Sequence, residues 1–175
     1  MYTFSRVMKE KGIEDAIDAV ESINEKKGRT VFTLDIYGQI EDGYKEKFGE
    51  LQKNFPSYIH YGGLVSYNKS VETLKNYFAL LFPTYYQGEG FAGTLIDAMA
   101  AGTPVIASDW KCNGEVVVPG KTGVLLKECS TKKIEAELDK IAENPDGWNA
   151  MKATTLDEAH RYDPEVAIKP LMDRL

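Results

Sequence analysis

The chain has 175 residues, of which 43% are hydrophobic and 27% charged, the length and balance of one globular domain that buries roughly 70% of its unfolded surface. A net charge of −6 repels a phosphate backbone and excludes general nucleic-acid binding, and no apolar run approaches the ~18 residues of a membrane-spanning helix. Two cysteines, Cys112 and Cys129, without a C-x-x-C pair make no disulfide framework, and "MYTFSRVMKEKG" has no signal-peptide core, so a cytoplasmic location is expected.

Strand-like and helix-like segments alternate along the chain. Tyr2–Val7, "YTFSRV", reads as a short strand. Residues 12–28 put Ile13, Ala16, Ile17 and Val20 on one helical face and close at Gly28. The β-branched and aromatic run 30–38, "TVFTLDIYG", predicts a strand ending at Tyr37. A polar helix over 41–54 stops before Pro56. "SYIHYG" is a short strand, "NKSVETLKNY" a helix and "FALLFP" an apolar strand. After a glycine-rich stretch, "TLIDAMAA" is a helix closed by Gly102. "TPVIAS" is a buried strand and "TGVLL" another. The remainder reads as helix, with Ile134, Leu138 and Ile141 on one face, then segments 144–162 and 163–175.

This alternation predicts an α/β fold: a Rossmann-like parallel sheet between two helical layers. Such sheets bind ligands beyond the carboxyl ends of their strands. The end of the first strand (Ser5–Gly12), the turn Tyr61–Gly63 and the loop after "FALLFP" should therefore meet.

Arg6 and Lys11 lie at the first of these ends. Arginine gives a bidentate fork and lysine a compact charge, a pair suited to a diphosphate, although taken alone they read as two solvated loop charges. In the loop 85–94, Gly88, Gly90 and Gly93 allow close backbone approach. A helix starting near Gly93–Thr94 aims free N–H groups back at an anion. Glu89, among Phe91, Ala92 and Leu95, must find hydroxyl or N–H partners. The three glycines, with Asp109 about 20 residues on, also fit a dinucleotide fingerprint. Against NAD stand the several strands that precede the motif, the "PTYYQ" before its first glycine, and a carboxylate placed beside a pyrophosphate.

"SRVMKEKGIEDAIDAV", "LDIYGQ", "YGGLVS" and "LFPTYYQGEGFAGTLIDAMAAGTPVIASD", followed by "GEVVVPGKTGVLL", resemble the C-terminal, donor-binding half of a family 4 (group 1) glycosyltransferase of the GT-B fold. The similarity runs over almost the whole chain. It implies that residues 1–175 form one half of a GT-B pair, a nucleotide-sugar-binding domain. The acceptor site would lie on an N-terminal domain without a counterpart in these residues, and the helix from Pro164 would cross back onto it. The family's E-x7-E acids fall on Glu89 and Asp97. By the resemblance Glu89 contacts the donor sugar and Asp97 takes the ribose hydroxyls. The N–H groups of Phe91, Ala92, Gly93 and Thr94 face sugar and diphosphate, Arg6 and Lys11 clamp the diphosphate, and the base lies near Leu64 and Val65. Catalytic roles fall on Glu89, Arg6 and Lys11. Asp97 stands where the family usually has glutamate, and Ser5 where a glycine usually precedes the arginine.

The function so implied is retaining hexosyl transfer from a UDP- or GDP-sugar, with ADP as a third base, to a glycan, lipid-linked or other acceptor. No D-x-D triplet occurs, so no metal and no cofactor is expected. Polysaccharide biosynthesis and peripheral contact with the inner membrane face fit such an enzyme. The chain alone is expected to bind donor and to transfer sugar weakly or not at all. A stand-alone nucleotide-binding or regulatory module is the alternative, and an NAD-binding domain the remoter one. His60, His160 and Cys112 carry no catalytic assignment.

Overall fold

A computed structural model describes residues 1–127 and 129–174. Its six strands are β1 (Tyr2–Phe4), β2 (Leu34–Tyr37), β3 (Ile59–Gly63), β4 (Leu80–Phe82), β5 (Val105–Ser108) and β6 (Gly123–Leu126). They form one sheet in the order β3-β2-β1-β4-β5-β6, every pair parallel. Among the described residues the helices are α1 (Ile13–Lys27), α2 (Lys45–Lys53), α3 (Ser70–Leu74), α4 (Gly93–Ala100), α5 (Asn113–Val116), α6 (Thr131–Glu143), α7 (Pro145–Ala159) and α8 (Pro164–Met172).

Strand side chains alternate between two buried faces. Leu81 and Ile106 point into a core with Ile13, Ile17, Val20, Ile134 and Leu138, which is the α1/α6 side. Leu80, Phe82, Val105 and Ala107 point the other way, onto Leu95, Ala98 and Met99 of α4. Both faces are covered, so the central strands read as continuous apolar runs. The α/β/α sandwich is therefore the expected one. In α8, by contrast, Val166, Ile168, Leu171 and Met172 remain exposed.

Several boundaries differ from the sequence reading, each for a local reason. β1 ends at Phe4 rather than Val7, and Val7 keeps only an isolated bridge to Ile40. β2 begins at Leu34, not Thr30. Just before it, the Asn24 side chain takes the N–H groups of Val31 and Phe32 and donates to the Phe32 carbonyl. A side chain thus satisfies backbone that a neighbouring strand would otherwise pair. α3 is limited to Ser70–Leu74 behind a 3-10 turn at Tyr67–Lys69. α5 is a single turn that the sequence reading lacked.

Candidate functional site

The sheet order reverses direction between β1 and β4, which makes their carboxyl ends the topological switch point. The loops leaving these two strands touch. The Tyr85 N–H donates to the Glu10 carbonyl at 2.8 Å. Gly12, at φ 69°, lies so close to Pro83 that a Cβ would stand 2.3 Å from its carbonyl oxygen.

That approach carries Lys11 onto Glu89. Lys11 Nζ lies 2.6 Å from Glu89 Oε2, and the two side chains are only 10% and 9% exposed. Thr84, fully buried, donates to the same carboxylate oxygen at 2.7 Å. Glu89 thereby finds the hydroxyl and N–H partners its burial demands. The turn that holds it is clamped from β5. Ser108 donates to the Thr84 carbonyl, and the Tyr86 carbonyl accepts both the Glu89 N–H at 3.1 Å and the Trp110 indole N–H at 2.8 Å. The Lys11 ammonium stands 5.2 Å from the centre of the Tyr86 ring, and the Arg6 guanidinium 6.0 Å from it, both within cation–π reach. Arg6 is also 3.8 Å from Glu41, so each cation at the switch point has an acid beside it. Gly88 leaves room for the Tyr86 ring, whose hydroxyl would lie 2.7 Å from a Cβ.

α4 starts beside this cluster. Its cap residue, Ala92, provides no side-chain acceptor. Among the described residues, the N–H groups of Ala92, Gly93 and Thr94 have no partner. A helix start with free donors attracts an anion through those donors and the helix dipole. A Cβ at Gly90 or Gly93 would meet only open space, so the backbone there is accessible to a ligand.

Next to the helix start lies a cavity of about 210 Å³ lined by Phe4, Ser5, Tyr37, Gly38, Leu64, Val65 and Thr94. It spans the ends of β1 and β2, the segment after β3 and the first turn of α4. Asp97 follows Thr94 by three residues on the same helix face. Burial raises its carboxyl above the ordinary range, against the pull of a Ser70 hydroxyl hydrogen bond. A larger groove of about 470 Å³, between Lys9, Glu14, Asp15, Tyr44, Lys47 and Tyr85, carries both charge signs and lies outside this cluster.

The structure thus gathers Lys11, Glu89 and Arg6 at the switch point, and sets Leu64 and Thr94 on one cavity. Phe91 behaves differently. Its ring is exposed and leans on Tyr162, 5.9 Å between centroids, so only its backbone faces the loop. Thr84 and Trp110 join this cluster although the sequence reading gave them no role, since an isolated threonine and an isolated tryptophan carry no spacing signal. The glycine motif follows β4, with its Glu89 paired to a cation from the β1 loop. Among the described residues no cluster of three His, Cys, Asp or Glu side chains is arranged for a metal ion, and no helix is long and apolar enough to cross a membrane. Both cysteines are free, and burial pushes the Cys129 thiol up to about 12, too high for a nucleophile at neutral pH.

The family described as glycosyl transferases group 1 matches residues 1–158. An uncharacterized glycosyltransferase of Methanocaldococcus jannaschii is 29% identical over 140 residues, covering 79% of this chain and 35% of that protein. A phosphatidyl-myo-inositol mannosyltransferase of Mycolicibacterium smegmatis is 28% identical over 132 residues, 75% of this chain and 33% of that protein. The chain spans about a third of the length of these curated relatives. Among solved structures, Anabaena HepE in complex with UDP superposes with a TM-score of 0.83 at 17% identity, over 99% of this chain and 47% of the other. The C-terminal domain of the group 1 glycosyl transferase LpcC of Francisella tularensis gives 0.79 at 20% identity, over 92% and 84%. At these identities the structures share the fold.

Proposed function

The chain belongs to the group 1 glycosyl transferases, and on that premise we propose that it seats the nucleoside diphosphate of a sugar donor across the β1/β4 switch point. One observation carries the reading: Lys11, Glu89 and the unpartnered start of α4 converge there. In this reading Lys11, Arg6 and the N–H groups of Phe91 to Thr94 stabilise the charge on the departing diphosphate, the preorganised electrostatics such a reaction needs. Glu89 is held through Oε2 by Lys11 and Thr84, which leaves Oε1 for a hydroxyl of the donor sugar. Asp97 accepts from the ribose hydroxyls, and the base enters the cavity beside Leu64.

Transfer is metal-independent and retaining, with departure and attack on one face of the sugar through an oxocarbenium-like state. The acceptor, a glycan or a lipid-linked saccharide, is bound by a further domain. The described domain binds donor by itself and transfers sugar weakly or not at all. Its free thiols suit a reducing, cytoplasmic compartment.

Calorimetric titration with UDP, GDP, ADP and NAD, with and without EDTA, tests this. The expected result is saturable, EDTA-insensitive binding of a nucleoside diphosphate. Binding of NAD in its place, or of nothing, would sink the proposal. The pH dependence adds a check. Ribose hydroxyls bind the ionised form of Asp97, so affinity should rise with pH through its raised pKa and fall below it. Asp97→Asn should remove that portion of the profile, leaving the titration of the phosphate itself.

The glycines supply another check. Gly90→Ala meets nothing within 4 Å, so stability should stay within about 0.5 kcal/mol of the parent. Diphosphate affinity should drop about tenfold, because a methyl would occupy the ligand's approach. Equal binding by parent and variant, read by the same titration, would place the ligand elsewhere.

A further inference from the structure

Glu89 meets its two side-chain partners with one oxygen only. Lys11 Nζ and the Thr84 hydroxyl both lie on Oε2, at 2.6 and 2.7 Å. Oε1 has no protein partner among the described residues and is not sealed from solvent. The carboxylate is therefore held on one side and open on the other. A lysine alone does not produce that. Its ammonium carries three donors on a flexible stem and can take either oxygen or bridge both. Thr84 decides between them. Its hydroxyl oxygen accepts the Tyr86 N–H at 3.3 Å, so its single proton is free for an acceptor. Two are in reach, the Glu10 carbonyl at 3.4 Å and the Glu89 carboxylate at 2.7 Å. The closer, charged one takes it. The threonine has little freedom to turn away. It is fully buried, and its carbonyl accepts the Ser108 hydroxyl from β5. A β-branched side chain is also stiff at χ1.

We infer that Thr84 is a positioning residue for the donor sugar: its hydroxyl selects which Glu89 oxygen faces the sugar, without itself touching the ligand. This rests on the donor-site reading above. Without that hydroxyl, Glu89 keeps its charge partner in Lys11 but loses its fixed orientation. Either oxygen can then pair with the ammonium, and the open one no longer stands in one place. The diphosphate, seated on Lys11, Arg6 and the start of α4, does not depend on that choice. The effect therefore falls on the sugar alone.

The test is titration of the parent chain, Thr84→Val, Thr84→Ala and Thr84→Ser. The probes are UDP, GDP and ADP, then UDP-glucose, GDP-mannose and ADP-glucose, with a melting curve for each protein. Valine fills the space of threonine without the hydroxyl, and alanine removes the hydroxyl at smaller volume. Both should lower nucleotide-sugar affinity about fivefold, the worth of one hydrogen bond. The matching diphosphate should stay within about twofold of the parent. Thr84→Ser keeps the proton and should keep both affinities. In a Glu89→Gln background, Thr84→Val should cost nothing further, because it acts through Glu89. Equal losses for diphosphate and nucleotide sugar overturn the inference, as does no loss for either. So does a serine variant as weak as the valine one, or an undiminished loss in the Glu89→Gln background. Nucleotide-sugar affinity untouched by Glu89→Gln would mean that Glu89 does not meet the sugar, and the inference falls with that contact. Failure of the parent to bind any diphosphate overturns the donor-site reading itself.

Discussion

Lys11→Met should abolish nucleoside-diphosphate binding and lower the unfolding free energy by about 3 kcal/mol. Lys11 and Glu89 are nine-tenths buried and 2.6 Å apart. Methionine replaces most of the lysine stem and removes the ammonium. The Glu89 carboxylate is then left in a desolvated loop with the Thr84 hydroxyl as its side-chain donor. An uncompensated buried charge is among the more costly single defects a fold can carry. The double variant Lys11→Met, Glu89→Gln separates the two roles. It contains no unpaired charge, so urea unfolding should recover most of the lost stability. It still lacks the cation, so calorimetry should show no recovery of binding. If the single variant were as stable as the parent, the pair would not be holding the β1 and β4 loops together. If the double variant bound diphosphate normally, Lys11 would not be a phosphate ligand.

Gly12→Ala should be comparably damaging for a backbone reason. Gly12 is left-handed at φ 69°, and its Cβ would sit 2.3 Å from the Pro83 carbonyl oxygen, with no flexible side-chain end to give way. The conformational strain and the clash together should cost about 3 kcal/mol or more, a fall of roughly 6–12 °C in melting temperature for a domain of this size. Gly28→Ala is the internal control. Gly28 has nearly the same φ, 64°, with nothing within 4 Å, so only the strain of about 1 kcal/mol should remain. Equal melting temperatures for the two variants would mean that the loops are not in backbone contact.

The residue types foretold the layers and the meeting of the loops that leave β1 and β4. α1 was legible because Ile13, Ala16, Ile17 and Val20 repeat at helical spacing and Gly28 caps the end. The central strands were legible from their apolar runs. Strand ends were not, because they depend on partners remote in sequence. Asn24 occupies the backbone before β2, and no pattern in residues 30–33 announces it. At the site, the burial of Glu89 followed from its apolar neighbours, but its partners did not. Thr84 reaches it from five residues back in the same loop, and Lys11 reaches it only because Gly12 lets two loops meet. Tyr37 was read simply as the end of a strand. Its side of the sheet follows the alternation of β2, with Leu34 and Ile36 on the α1 face and Tyr37 on the other, but the bare Gly62 backbone that its ring lies against comes from a register shift with β3, which no pattern in β2 encodes.

The clamp on the Tyr86 carbonyl ties the turn that carries Glu89 to an indole. The chain has two tryptophans. Trp148 is sealed in the core at 3% exposure, its indole N–H on the Phe78 carbonyl at the amino-terminal end of β4. Trp110 is half-buried, bonded to the turn that carries Glu89. One indole is thus wired to the loop after β4 and the other to the opposite end of the sheet. On the proposed donor-site reading, a ligand that displaced the Tyr86–Glu89 turn would change the surroundings of the first and spare the second. The intrinsic fluorescence of the unlabelled protein would then report occupancy, with its own internal reference.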